Sequence, residues 1–203
     1  MPRPQAAKKD VDQPPLASLL PPLRPTDGTS PAAPLDAIVV GAGPAGLALA
    51  AELGAAGLEI ALVGRDEPFV NTYGVWVDEL AGKGLDGVLE STWDGADCFF
   101  GEGGHTRVRR PYGRVAPGKL RAALAARAAS VGVRFAAAEV GDAGALDDGG
   151  RTARLSLRGG PTLHARLITL ASGADAGRLL KYEAGAPPVA AQTAYGVEAE
   201  VEG

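Results

Sequence analysis

The chain has one cysteine, Cys98, and two histidines, His105 and His164, in 203 residues. An intramolecular disulfide and a cysteine zinc cluster are therefore excluded, and the histidines are too far apart for metal-ligand spacing. Basic charge is not in excess either. Twenty Lys and Arg face 24 Asp and Glu, for a net charge of −4, which leaves no electrostatic footprint for nucleic acid. No apolar run approaches the roughly 18 residues needed to span a bilayer. Glycine, by contrast, is abundant at 29 residues. An isolated glycine therefore carries little information in this chain.

Residues 1–34 are rich in proline and polar residues, as in "PPLASLLPPLRPTDGTSPAAP". They show no sustained apolar period and read as a disordered leader, with ordered structure beginning near Leu35. Asp10, Asp12 and Asp27 and a shortage of serine make this leader a poor match to a transit peptide.

"AIVV" is a short, fully apolar run, the pattern of a buried parallel strand. Pro44 to Ala56 reads as a helix, with proline tolerated in the first turn and Leu49 and Leu53 on one face. "EIALVG" is a second buried strand. A further helix spans Pro117 to Val131, with Leu120, Leu124, Ala128 and Val131 as its apolar stripe. "VRFAAAEV", "TARLSLRG" and "PTLHARLITLASG" read as an antiparallel meander over the parallel sheet, the last returning to it.

Gly41, Gly43 and Gly46 form G-x-G-x-x-G. The motif gains meaning from its place between a buried strand and a helix. Gly41 permits the tight turn, Gly43 lets the backbone approach a pyrophosphate, and Gly46 lets the helix pack on the sheet. The helix N-terminus directs its N–H groups at the phosphates. Val40, Ala42, Pro44 and Ala45 complete this expected cofactor-binding set. The acid that holds the ribose is expected at the end of the second strand. Gly64 fills the usual position, so Arg65 and Asp66, the latter 20 residues after Gly46, are the candidates. Spacing does not choose FAD over NAD. The meander followed by "LITLASGAD" favours FAD, with Ser172 and Gly173 beside its phosphate arm.

With these pieces placed, the chain resembles the plant and cyanobacterial lycopene cyclases. The matching blocks are "VVGAGPAGLALAAEL", "LVGRDEPFVNTYGVWVDEL", "RPYGRV" and "LASGADAGRLLKYEAGAPPVAAQTAYGVEAEVE". The fourth is closer to the ε-type than to the β-type. The resemblance implies an α/β, Rossmann-like FAD/NAD(P)-binding domain, a three-layer ββα sandwich over residues 35–180, incomplete at its C-terminus. Residues 181–203 would begin a truncated substrate domain. It further implies reduced FAD as cofactor, NAD(P)H as electron source, lycopene or another linear carotene as substrate, and a plastid location. Membrane association would come only through a C-terminal half. The reaction is acid-initiated cyclisation without net redox change, and the family's acidic catalytic motif is expected beyond residue 203, leaving residues 1–203 alone inactive.

Within that resemblance, Tyr73 and Trp76 are expected in a turn-rich loop, facing the substrate and stabilising a carbocation through their rings. Asp78 and Glu79 are the nearest carboxylates, weak candidates for the general acid. Arg114 is a candidate flavin contact. Pro117 departs from the basic residue that many cyclases carry there. His105 and His164 are expected to have no chemical role, and Cys98 is expected to be a small buried hydrophobe. Competing readings are another FAD-dependent isoprenoid oxidoreductase or hydroxylase, which "NTYGVW" argues against, and a non-catalytic nucleotide-binding fragment.

Overall fold

The computed structural model describes residues 13–101, 103–146, 149–173, 179, 180 and 185. The expected start of a substrate domain at 181–203 therefore falls outside the described residues, apart from Gly185. Chain order begins with a single helical turn, α1 (Leu16–Leu19), followed by β1 (Leu35–Val40), α2 (Pro44–Ala55) and β2 (Ile60–Gly64). A group of short strands follows: β3 (Tyr73–Trp76), β4 (Leu89–Trp93), β5 (Ala96–Phe99), β6 (His105–Val108) and β7 (Tyr112–Val115). The chain then returns through α3 (Pro117–Ser130), β8 (Arg134–Ala137), β9 (Val140–Ala145), β10 (Ala153–Leu157) and β11 (Thr162–Leu170).

The main sheet has the order β8-β2-β1-β11-β10-β9. β1 runs parallel to β2 and β11, and β2 runs parallel to β8. The parallel strands are apolar throughout because both faces are covered. Ala37, Val39, Ile60, Leu62 and Phe135 pack toward the helices with Leu47, Ala50, Leu124 and Ala128. The alternate residues Ile38, Val40, Ala61 and Val63 pack on Leu155, Leu157, Leu163 and Ala165 of the meander. Period-2 alternation thus builds three layers, as the sequence predicts. The fold is the Rossmann-like α/β architecture expected from the strand–turn–helix signal.

Helices α2 and α3 meet through small residues, and a Cβ at Gly54 would lie 2.7 Å from Val131 Cγ2. The side of α2 turned inward is Leu47, Ala50 and Ala51, whereas Leu49 is exposed. The meander also differs in detail. "VRFAAAEV" does not form one strand: Arg134–Ala137 joins the parallel sheet, and Val140–Ala145 is the first meander strand. Phe135 and Ala136 are wanted on opposite faces of a doubly covered sheet, while the Gly- and Asp-containing β9 suits a half-solvated edge.

The larger correction concerns the leader. Residues 13–34, expected to be disordered, lie against the domain. Leu16 and Leu20 are fully buried among Leu62, Phe69, Val133 and Phe135. Pro21 O accepts from Phe135 N at 2.8 Å, and Leu23 N donates to Phe135 O at 3.0 Å. The segment thereby covers the outer edge of β8, and Pro22, which has no N–H to offer, sits where only one side is paired. Farther on, the buried Asp27 carboxylate bonds Arg24 and lies 3.1 Å from Arg134, and Gly28 O accepts from His164 N.

The aromatic block is a strand rather than a loop. β3 pairs with β7 in a three-stranded sheet of order β3-β7-β4, beside the β5–β6 hairpin. Tyr73 lies opposite Val115, and Trp76 opposite Tyr112. The second and third blocks of the resemblance, "NTYGVW" and "RPYGRV", are therefore partners across one ladder. Their side chains close a small core of Leu80, Val88 and Val115. His105 and His164 are both on strands, and Cys98 is half-buried on β5 rather than buried.

Candidate functional site

The carboxyl ends of β1, β2 and β11 are stitched together. Gly41 N donates to Val63 O and Ala171 N to Val40 O, each at 2.7 Å. Beyond these ends opens a cleft of about 510 Å³. Crevices outside the carboxyl ends of parallel strands are where open α/β sheets bind ligands.

The glycine turn forms one wall of the cleft. Gly41 has φ +115°, a conformation that favours glycine, and a Cβ there would lie 2.5 Å from the Ala171 backbone. Gly46 is packed beneath the turn, where a Cβ would collide with Gly41 O. Gly43 differs: no atom lies within 4 Å of its Cβ position. The space beside Gly43 is thus left open by the protein, in front of the first turn of α2. That turn begins with Pro44 and contains no acidic residue, so no acid of the helix itself offsets the positive end of its dipole. Val40, Gly41, Ala42, Gly43, Pro44 and Ala45 all line the cleft, as do Ser172 and Gly173. The Ser172 hydroxyl is buried and has no hydrogen-bond partner among the described residues, a state that ordinarily calls for an unseen partner.

The loop after β2 forms the second wall. Arg65, Glu67, Pro68, Phe69, Val70 and Asn71 line the cleft, as do Tyr73, from β3, and Glu139, from the turn after β8. Sequence reasoning missed Glu67, Phe69 and Glu139. Only Glu67 had a local signal, its place just past the strand end. Arg65 bonds Glu139 at 3.0 Å and lies 3.8 Å from Glu67. Tyr73 packs edge-on to Phe69, with centroids 6.3 Å apart, and burial pushes its phenol above the usual range, partly opposed by a hydrogen bond with Asn71.

Other expected site residues fall elsewhere. Asp66 is not on the cleft wall. Its carboxylate accepts from Leu16 N at 2.7 Å, from Ala17 N at 3.0 Å and from Arg121 Nη2 at 2.8 Å. With its oxygens so engaged, it is not free for a ribose. A side chain at Gly64, the usual position of that acid, would meet Ala42 N at 2.8 Å. Trp76 is three residues from Tyr73 on one strand, so the pleat turns it to the other face. There it packs edge-on to Tyr112, centroids 5.1 Å apart, under the Arg110 guanidinium at 4.9 Å. Arg110 also grips Asp78 through two bonds of 2.9 Å and Glu79 through one of 3.0 Å. Its hydrogen bonds hold the Asp78 carboxyl below the usual range, the opposite of what a proton donor needs. Arg114 is on β7, paired with Glu90 at 2.8 Å, and does not line the cleft. Among the described residues no cluster of His, Cys, Asp or Glu could hold a metal, and no helix is long and apolar enough to cross a membrane.

The chain is similar to known proteins in sequence and in fold. The family described as "Lycopene cyclase protein" matches residues 36–203. A chloroplastic lycopene beta cyclase of Arabidopsis thaliana is 33% identical over 177 residues, covering 86% of this chain and 34% of the relative. A lycopene beta cyclase of Synechococcus elongatus is 31% identical over 165 residues, covering 80% of this chain and 39% of the relative. Among solved structures, the flavin-dependent brominase Bmp2 superposes with a TM-score of 0.54 at 18% identity, over 70% of this chain and 39% of that one, a likeness of fold. The chain spans about a third of the length of the curated plant relatives it matches. The glycine turn, the paired aromatic strands and the match across residues 36–203 place the chain in the lycopene cyclase family.

Proposed function

We propose that this chain is the FAD-binding part of an enzyme that closes a ring at the end of lycopene or another linear carotene. The reading rests on family membership. Its cofactor half is carried by the cleft lining, which holds both the unpartnered Ser172 hydroxyl and the empty space at the Gly43 Cβ position. The glycine turn and the first turn of α2 would hold the pyrophosphate, and Ser172 would donate to a phosphate or ribityl oxygen. Arg65, Glu67 and Glu139 also line the cleft, and the ribose hydroxyls would lie beside them. Tyr73 closes the wall from the aromatic sheet.

Cyclisation starts when an acid protonates the terminal double bond. The cation attacks along the chain, and proton loss fixes the new double bond. The chemistry that reduced FAD supplies when bound is electrostatic: an anionic ring offsets the developing positive charge. NAD(P)H is the proposed source of its electrons. Carboxylates bordering the cleft and the aromatic sheet have arginine partners: Glu67 and Glu139 with Arg65, Asp66 with Arg121, Asp78 and Glu79 with Arg110, Glu90 with Arg114. Each is thus engaged by a guanidinium within the protein, and none of them is assigned as the proton donor. Residues 1–203 alone are accordingly proposed to form no ring product.

The ring type proposed is ε, from the fourth sequence block, whereas the curated relatives named above are β-cyclases. The plastid is the proposed location, as for the plant relative. The test is the complete reading frame in a lycopene-accumulating host. Ring product is expected, and chromatography tells ε from β. Flavin-loaded protein without product would overturn the cyclase reading. In the same cleft, Gly43→Val is expected to abolish FAD binding with the fold intact, because its side chain meets no protein atom and fills only ligand space. Unchanged flavin retention would remove the cofactor assignment.

A further inference from the structure

The loop that forms one wall of the cleft has almost no support of its own. Among the described residues, the backbone of residues 65–72 makes two hydrogen bonds, and both go to one side chain. The Gln13 carboxamide donates to Phe69 O and accepts from Phe69 N, each at 2.9 Å. This copies a backbone bridge and fixes Phe69, which is buried and packs edge-on to Tyr73. Phe69 and Tyr73 both line the cleft. Three residues earlier in the loop, Asp66 is the second anchor. It caps the first turn of α1 from 50 residues away in sequence and takes a bond from Arg121 on α3. Arg121 is itself buried and donates to Pro14 O. Leu16 and Leu20 then seat the segment in the helix-side core.

We propose that residues 13–20 are a strap that sets the position of the cofactor-facing loop 65–71, with Gln13 on the strap and Asp66 in the loop as the positioning residues that join the two without touching the cofactor. The inference rests on the cofactor reading above. Without the strap the loop keeps its chain connections at Gly64 and Tyr73 and the Asp66–Arg121 pair, but loses the Gln13 bridge at Phe69 and the two α1 donors to Asp66. The cleft wall then samples positions in which Phe69 and Tyr73 no longer face the ligand together. Bound dinucleotide has to reorder it, which lowers affinity without removing any contact to the ligand.

The test uses the whole chain with Gln13→Ala and Gln13→Glu. The glutamate retains acceptance from Phe69 N–H and loses donation to Phe69 O. Three quantities are read: hydrogen exchange at the Phe69 amide without ligand, FAD affinity by flavin fluorescence, and melting temperature. Gln13→Ala is expected to speed Phe69 exchange about tenfold and weaken FAD binding about fivefold, while the melting temperature stays within about 3 °C. Gln13→Glu sets a carboxylate oxygen against Phe69 O and should be impaired at least as much as alanine on both measures, whereas a role of side-chain bulk alone would leave the nearly isosteric glutamate like wild type. Unchanged Phe69 exchange, or faster exchange with unchanged FAD affinity, overturns the strap alone. A wild-type chain that binds no FAD overturns the cofactor reading and this inference with it.

Discussion

Two acid–arginine sites flank the cleft region, and they have the same chemistry but different standing. In one, Asp66 meets Arg121 at 2.8 Å, with side chains 14% and 2% exposed. In the other, Arg110 grips Asp78 and Glu79 at 2.9 and 3.0 Å, with Arg110 38% and Asp78 60% exposed. The exposed fork lies on the face of the aromatic sheet, where water screens it and bulk solvent can replace either partner. The buried pair joins three pieces of chain, α1, the loop after β2 and α3, and solvent has little access to replace a lost partner. Burial also pulls the Arg121 guanidinium below its usual range, opposed by Asp66. The lesson is that distance alone does not grade an ion pair. What matters is which groups are stranded when one side is removed.

The largest effect should come from Arg121→Met, which leaves the Asp66 carboxylate without its cation and Pro14 O without its donor. We expect a loss of about 3 kcal/mol, the low end for breaking a buried pair, because Asp66 keeps its two backbone donors. Chemical denaturation measures it, and a loss equal to that of an exposed arginine would erase the contrast between the sites. Asp66→Asn should cost less, about 1–3 kcal/mol, since the amide oxygen still accepts from one of the two α1 N–H groups, while the second acceptor and the charge opposite Arg121 are gone. A double-mutant cycle of the two should show strong coupling.

Arg110→Ala should be the mildest, with a melting temperature within about 2 °C of wild type and no coupling to Arg121. Its pH dependence has a definite sign. Asp78 has a depressed pKa when folded, so the stability it contributes is present above its unfolded pKa of about 3.9 and is lost as pH falls through the lower folded value. The small difference between wild type and Arg110→Ala should therefore vanish only in strong acid. A difference that disappears near neutral pH would point to another group.

These contrasts track what was legible in the chain. The two strands around the glycine turn, α2 and the turn itself were read within a residue or two, because their signals are local: an apolar run, a proline at a helix start, three glycines at fixed spacing; β8 was read as part of the meander and instead joins the parallel sheet. The lining of the cleft by Val40 to Ala45, Ser172 and Gly173 follows from the same signals once the strands are parallel. Tyr73 lines the cleft and Trp76 does not, since a strand and a loop present side chains differently and "NTYGVW" carries turn residues and β-formers together.

The amino-acid sequence by itself determined the three-layer sheet and the phosphate-type turn, because periodicity and glycine spacing act within a few residues. Tertiary structure alone decided the fate of the leader and of Asp66. Proline-rich, polar residues 13–34 have no propensity for order, yet Leu16 and Leu20 find a core, and Pro21 and Leu23 find the unpaired edge of β8. Asp66 stands at the spacing of a ribose acid, but α1 and Arg121 reach it first, from positions 50 and 55 residues away in sequence. A carboxylate takes whichever donors the fold brings within 3 Å, and no local pattern encodes contacts made over that separation.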